Sequence, residues 1–434
     1  MNTWFEKQFK LSEHGTDVRT EILAGITTFM TMAYIIFVNP GILSATGMPF
    51  GALLVATCLG ASLATFLMAF LANYPFALAP GMGLNAFFTF TVVLGMKIPW
   101  QVALAAIFVE GVIFILLTCT KVREEVVNSI PKTLKIGVSA GIGIFITFIG
   151  LQSAGLIVAN QAVLVGLSPL RGNVGGLLAL AGLLLMITLE TRKVTGGILI
   201  GIIAVTLAGI PLGITKMPEG IISMPPSLSP IFMKMDFSMI ASPAFWVIVF
   251  TFFFVDFFDT MGTLVGVSNR AGMLDKDGRL PKASQALMAD AVGTTAGAVL
   301  GTSTVTTFVE SASGVEQGGR TGLTALTVAV LFLLATLFSP LIAIVPACAT
   351  APALIMVGGY MMMGFKDMDF SDWTEFFPAI IAFFMMPFAY SIAAGIEFGI
   401  VSYVALKLLM GRGRDVNWLL YALTVLFILN RAFL

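Results

Sequence analysis

The sequence predicts an all-α polytopic membrane protein of fourteen spans in two inverted repeats of seven, with spans 3 and 10 each broken into a short extended stretch plus a half-helix. Three observations predict it. The 434 residues are 58% hydrophobic and 11% charged, whereas soluble domains run about 45–50% apolar and roughly 25% charged. Apolar runs of about 20 residues, enough to cross a hydrocarbon core, recur from Glu21 to the C-terminus. Glycine and proline interrupt the third apolar segment of the first half, and a Thr/Ser run interrupts its counterpart in the second. Backbone groups in lipid must be paired internally, so the runs are helices. The roughly ten-residue alternation of a membrane barrel is missing from the sequence.

In chain order, Met1 to Thr20 is polar and charged, so no cleavable signal is expected. The expected spans of the first group are 20–44, 51–72, 76–95, 99–119, 134–156, 173–190 and 196–213. A polar, proline-containing connector follows at 214–242. The second group is 243–267, 284–300, 302–318, 321–345, 347–364, 374–388 and 391–409. Residues 416–432 form one more apolar stretch whose placement the sequence leaves open.

Orientation follows from the basic residues. With the N-terminus inside, most Lys and Arg fall in cytoplasmic segments, including Lys121, Arg123, Arg192, Lys193, Arg270, Lys276, Arg279, Arg320, Lys407 and Arg412. Lys97, Arg171, Lys216 and Lys234 fall on the other side. Positive charge is retained in the cytoplasm during insertion. An odd number of spans per group makes the second group insert upside down relative to the first.

The broken spans come next. Pro75, Pro80, Gly81 and Gly83 lie inside span 3, where proline removes a backbone donor and glycine weakens a helix. An extended stretch near 76–79 and a half-helix from about Gly81 are expected. In span 10, residues 302–307 read Thr-Ser-Thr-Val-Thr-Thr, a poor helix former and a good strand. A half-helix is expected to start near Phe308, placing Glu310 about one turn into it. Interrupted segments at matching positions of two halves point to a midplane binding site in a carrier, with helix N-termini aimed at a polar solute.

Acids supply the rest of the expected site. Asp256 and Asp259 are three apart in span 8 and share a helix face. An Asp at mid-bilayer costs about 2.5–3.5 kcal/mol on insertion scales, so both should face a cavity rather than lipid. Glu310, Asp259 and Asp256 are the candidate proton carriers, because the sole histidine, His14, precedes the first span. Asn85 and Thr307 are polar candidates beside the breaks. Phe87 and Phe308, with Phe88, Phe257 and Phe258, are candidates to stack on a flat ring or else to pack in the core. Glu110 and Asp290 are read either as relay groups or as structural partners of buried hydroxyls. Glu316 reads as a cap near the cytoplasmic end, and Glu397 as a helix contact.

Several classes are disfavoured. A formal net charge of zero gives no footprint for nucleic acid. Cys58, Cys119 and Cys348 have neither CxxC spacing nor a clustered histidine, so they read as packing residues, and no metal or cofactor is expected. An anion carrier of the same architecture would want a positive site. A membrane enzyme would want a nucleophile with a base. An ion channel would need no alternating gate.

The segments Thr27 to Tyr34 with Val38-Asn39-Pro40, Ala79 to Ala86, Phe254 to Thr260 with Gly262-Thr263-Leu264, and Gly301 to Thr304 with Glu310-Ser311, Gly314-Val315 and Gly319 to Gly322 together resemble the AzgA-like purine permeases. These are a branch of the nucleobase–cation symporter 2 group. The resemblance runs through nearly the whole chain. It implies a core domain of spans 1–4 (20–119) and 8–11 (243–345), and a gate domain of spans 5–7 (120–213) and 12–14 (346–410). It implies uptake of hypoxanthine, guanine or adenine with a proton rather than sodium, in the cell membrane, and a homodimer. The family's span 8 acid falls on Asp256 or Asp259, and Gly262 three residues later favours Asp259. The span 10 acid falls on Glu310 and the span 3 polar residue on Asn85. Glu397 and Asn430-Arg431 depart from the family pattern, outside this site.

Overall fold

A computed structural model describes residues 2–119, 131–218, 220–273 and 280–433. Lys121, Arg123, Lys276 and Arg279, and the side chains of Phe258, Arg270, Asn430 and Arg431, lie outside the described residues.

The chain is a helical, multi-pass membrane fold. Among the described residues nine helices are long and apolar enough to cross a membrane. The chain opens with α1 (Asn2–Phe9), then α2 (Val18–Met32) and α3 (Ile35–Leu43), which turn at Ala33-Tyr34 within span 1. Next come α4 (Phe50–Leu67), strand β1 (Leu78–Pro80), α5 (Met82–Ala86) running on as a wide helical segment Phe87–Gly95, and α6 (Trp100–Thr118). Then follow α7 (Lys132–Ser153), the hairpin β2 (Ile157–Asn160) and β3 (Leu164–Leu167), α8 (Val174–Thr191) and α9 (Gly197–Gly209).

The second half carries α10 (Pro243–Arg270), α11 (Ala283–Leu300), strand β4 (Val305–Thr307), α12 (Ser311–Glu316), α13 (Gly322–Ala335) and α14 (Ser339–Ala343). It ends with α15 (Ala347–Met362), α16 (Trp373–Phe388), α17 (Ile392–Leu409) and α18 (Trp418–Phe433). The connector expected at 214–242 holds no helix or strand among its described residues.

The helices pack as two groups. In one, α2, α4, α6, α10, α11 and α13 pack on one another around the two broken spans. In the other, α7, α8, α9, α15, α16 and α17 do so. Gly314 shows how closely the first group approaches: a Cβ there would overlap Thr28 and lie 2.7 Å from the Ala24 carbonyl, so α12 sits directly on α2. In the second group Lys407, counted above on the cytoplasmic side, is buried and pairs with Glu375 at 3.1 Å and Asp372 at 3.6 Å.

The two breaks meet. β1 and β4 pair antiparallel, with Leu78 opposite Thr307, Ala79 opposite Thr306 and Pro80 opposite Val305. Gly81 N–H donates to the Thr304 carbonyl (3.0 Å), and Phe308 N–H to the Ala77 carbonyl (2.9 Å). A two-stranded pair leaves its outer edges bare, which is costly inside a bundle. Two threonines cover them in the same way. Thr65 Oγ1, on α4, donates to the Leu78 carbonyl and accepts from Leu78 N–H, both at 2.9 Å. Thr294 Oγ1, on α11, donates to the Val305 carbonyl at 2.9 Å and accepts from Val305 N–H at 3.2 Å.

Thr294→Val keeps the shape and removes both bonds. It is expected to leave two buried backbone groups unpaired, at about 1–3 kcal/mol each. A clear drop in the detergent-solubilised melting temperature, against an unchanged one for the exposed Thr188→Val, checks this.

Two sequence expectations are corrected. The half-helix of span 10 starts at Ser311 rather than Phe308, because Phe308 N–H is still engaged by Ala77 across the strand pair; Glu310 therefore stands at the N-cap. The fold is not purely helical, since two short strand pairs are present. The polar N-terminus forms a helix, α1, whose Phe9 is buried against Phe70 at 5.7 Å between ring centres. The stretch 416–432, whose placement the sequence left open, forms α18, which packs on α17 and α10, with the Phe427 ring 5.9 Å from that of Phe250.

Candidate functional site

The site is built where the crossing strands meet the helices beside them. Glu310 Oε1 accepts a 2.6 Å hydrogen bond from the Tyr34 hydroxyl. Tyr34 stands at the turn between α2 and α3, and is itself 1% exposed. Asp259, on α10, accepts from Thr306 Oγ1 of β4 at 3.4 Å. The Asp259 and Glu310 carboxyls lie within electrostatic reach of each other and of Tyr34. Both are partly exposed, unlike the fully buried groups around them.

Behind the strands, Ser303 Oγ donates to Asn85 Oδ1. Asn85 lies in the first turn of α5, and its amide nitrogen approaches Met82 sulfur at 3.8 Å. The Ser303–Asn85 bond ties the entry of β4 to the half-helix that follows β1. Thr307 is buried, and its hydroxyl has no partner among the described residues.

The aromatic candidates divide. Phe308, two residues before Glu310, is 5% exposed and its ring lies 6.4 Å from that of Tyr34, the partner of Glu310. Phe87 is 1% exposed and packs edge-on against Phe252 at 4.8 Å, a core contact. Phe257 packs against Phe114 and Phe253, and Phe88 is fully buried.

The structure separates the two acids of span 8. Three residues turn a helix by about 60° from full registry, and here that difference decides their surroundings. Asp259 meets Thr306 and the crossing. Asp256 is fully buried, with the acids Glu110 and Asp290 as its neighbours. Asp290 accepts from Thr260 at 3.0 Å.

Sequence reasoning missed five groups. Tyr34 was quoted only within a motif, although a lone phenol amid an apolar span is a usable signal. Thr306 and Ser303 were read as strand formers. Glu190, at the end of α8, and Tyr360, on α15, approach each other, and both act electrostatically on the Glu310 side of the site. They bring the second helix group to its edge. Tyr34→Phe removes the donor that orients Glu310. It is expected to raise the KM for uptake about tenfold, the scale of one charge-assisted bond, with membrane abundance unchanged on immunoblot.

Two interrupted spans crossing at their breaks, with polar groups converging there inside a multi-pass helical bundle, define a membrane transporter. The comparisons agree. Residues 19–398 match the model of the Permease family. The adenine permease AdeP of Escherichia coli is 44% identical over 429 residues, covering 99% of this chain and 96% of that protein. The guanine/hypoxanthine permease PbuG of Bacillus subtilis is 44% identical over 437 residues, covering 98% and 99%. The transmembrane domain of the cyanobacterial bicarbonate transporter BicA shares the fold, with a TM-score of 0.66 at 17% identity over 87% of this chain and 97% of that one. The chain belongs to the Permease family, among the purine permeases of the nucleobase–cation symporter group that its motifs resemble.

Proposed function

We propose that this protein imports a purine nucleobase, hypoxanthine, guanine or adenine, together with a proton across the cell membrane. The observation that carries the reading is the convergence of Glu310, held by Tyr34, with Asp259, held by Thr306, at the crossing of β1 and β4. A purine edge presents ring N–H groups to carboxylate acceptors, and its carbonyl or ring nitrogens can accept from the free N–H groups in the first turn of α5. Phe308, beside the Tyr34 ring, would cover the face of a flat ring. Thr306 and Thr307 offer hydroxyls on the strand between. Asn85 serves as a positioning residue beneath them, through Ser303. Phe87 supports the core.

In this reading the chain has fourteen spans in two inverted repeats, with the N-terminus in the cytoplasm. The matching roles of Thr65 and Thr294 at the outer edges of the crossing support the repeat. The first helix group is the core domain that carries substrate. The second is the gate against which it rocks, and two copies form the assembly. The purine names of AdeP and PbuG support the substrate class. The fold is shared with a bicarbonate transporter, but two acids at the crossing disfavour an anion here.

Uptake of labelled hypoxanthine, guanine and adenine into cells lacking their own purine permeases tests this, with each unlabelled base as competitor. Saturable uptake of at least one purine is expected, and competition ranks the three. Uptake of all three no greater than in cells carrying an empty vector would overturn the reading.

A further inference from the structure

A second group of acids lies inside the first helix group, away from the crossing. Glu110 on α6, Asp256 on α10 and Asp290 on α11 are each fully buried. Their helices pack on one another closely. Gly111 permits this: a Cβ there would overlap Thr295 Oγ1 and come within 2.9 Å of the Thr295 backbone nitrogen. Asp290 has the Thr260 hydroxyl as a partner.

Glu110 and Asp256 are different. Their carboxyl groups are within hydrogen-bond reach of one another. Yet no N–H or hydroxyl among the described residues donates to any of their four oxygens. The charged groups acting on the pair are Asp290, and for Asp256 also Asp259; all are acids. Two carboxylates side by side in a low-dielectric interior, with no donor among the described residues, cannot both stay ionised. A bond between two carboxyls needs a hydrogen on one of them, and the pair titrates as a unit. A proton held between the two carboxyls supplies the donor that the described residues do not.

Asp256 also lies one turn from Asp259 on the same helix. Charge on the pair is thus felt at the crossing, where a substrate would sit.

We infer that Glu110 and Asp256 share one proton at a binding site inside the core domain, distinct from Asp259 and Glu310, and that this is the proton moved with the substrate. The first part rests on the burial of the two acids, the packing of their helices and their undonated oxygens, and the second rests on the proton-coupled reading above. Release of that proton leaves two adjacent buried carboxylates beside Asp290 and Asp259, a state that substrate and proton together avoid. The pair thereby links loading to movement of the core.

The tests separate the two parts. Purified protein in lipid is titrated with pH by infrared difference spectroscopy, following the C=O stretch of protonated carboxyl groups. The wild type is expected to show such a band at neutral pH. The band should persist in the Asp259→Asn/Glu310→Gln double variant and vanish in Glu110→Gln. Glutamine supplies the N–H that the shared proton replaced, so packing is retained. An Asp256→Asn variant repeats the test should Glu110→Gln not assemble.

In cells, Glu110→Gln is expected to exchange labelled purine for unlabelled purine across the membrane while losing accumulation and its pH dependence. A band unchanged in both single variants, or lost in the double variant, would overturn the proton site. Accumulation by Glu110→Gln with the wild-type pH dependence would overturn its role in coupling. Failure of the wild type to carry any purine would sink the transport reading, and the infrared result would still decide the site.

Discussion

Glu310→Gln is expected to abolish concentrative purine uptake while the protein still reaches the membrane in normal amount. Glutamine keeps the size of the side chain and removes its charge. Two charge-assisted bonds weaken together: the 2.6 Å bond from Tyr34 and the proposed bond from a purine N–H. Each is worth about 1.5–3 kcal/mol, so the joint loss is on the order of a hundredfold or more in apparent affinity. Insertion should not suffer, because removing an intramembrane charge lowers the cost of placing the segment in lipid. Uptake assays beside surface labelling of the variant decide it. Uptake within twofold of wild type would remove Glu310 from the site.

The second large effect concerns the driving force. A protonophore is expected to reduce uptake by the wild type to the level at which inside and outside concentrations equalise. Replacing sodium with choline should leave it unchanged. The physical ground is the inventory of groups: intramembrane acids are present at Asp259, Glu310, Asp256 and Glu110, and the one histidine lies at position 14, before the first span. Carboxyls pushed together in a low-dielectric interior bind protons readily. Uptake that ignores the protonophore and follows the sodium gradient would assign the coupling to another ion, while leaving the purine site standing.

The helices were legible because lipid simplifies the problem. A segment that must pair its own backbone groups is a helix, and apolar length sets its ends. Hence expected spans such as 99–119 and 284–300 fall on α6 and α11 within a few residues. The breaks were legible for the converse reason: Pro80 and the Thr/Ser run before Phe308 cannot hold a regular helix. The start of the second half-helix was misplaced because its position depends on Ala77, over 230 residues away, which holds Phe308 in the strand pair. The strand hairpin at 157–167 and the helix α1 were missed because both are short and lie outside the apolar runs.

The site shows the same division. Glu310, Asp259 and Asn85 could be named from residue type and position alone, since uncompensated polar groups at helix breaks have few other roles. Tyr34 as the partner of Glu310 could not, nor could Ser303 as the partner of Asn85. By itself the sequence determined a multi-pass helical protein with two interrupted spans and a set of costly buried acids. It also marked the family through its motifs. Only the tertiary structure decided what each acid faces: Thr306 for Asp259 at the crossing, and Glu110 for Asp256 one turn away. Helical periodicity fixes the direction in which a side chain leaves its own axis. What stands opposite is set by the packing of other helices, which is information no single segment holds.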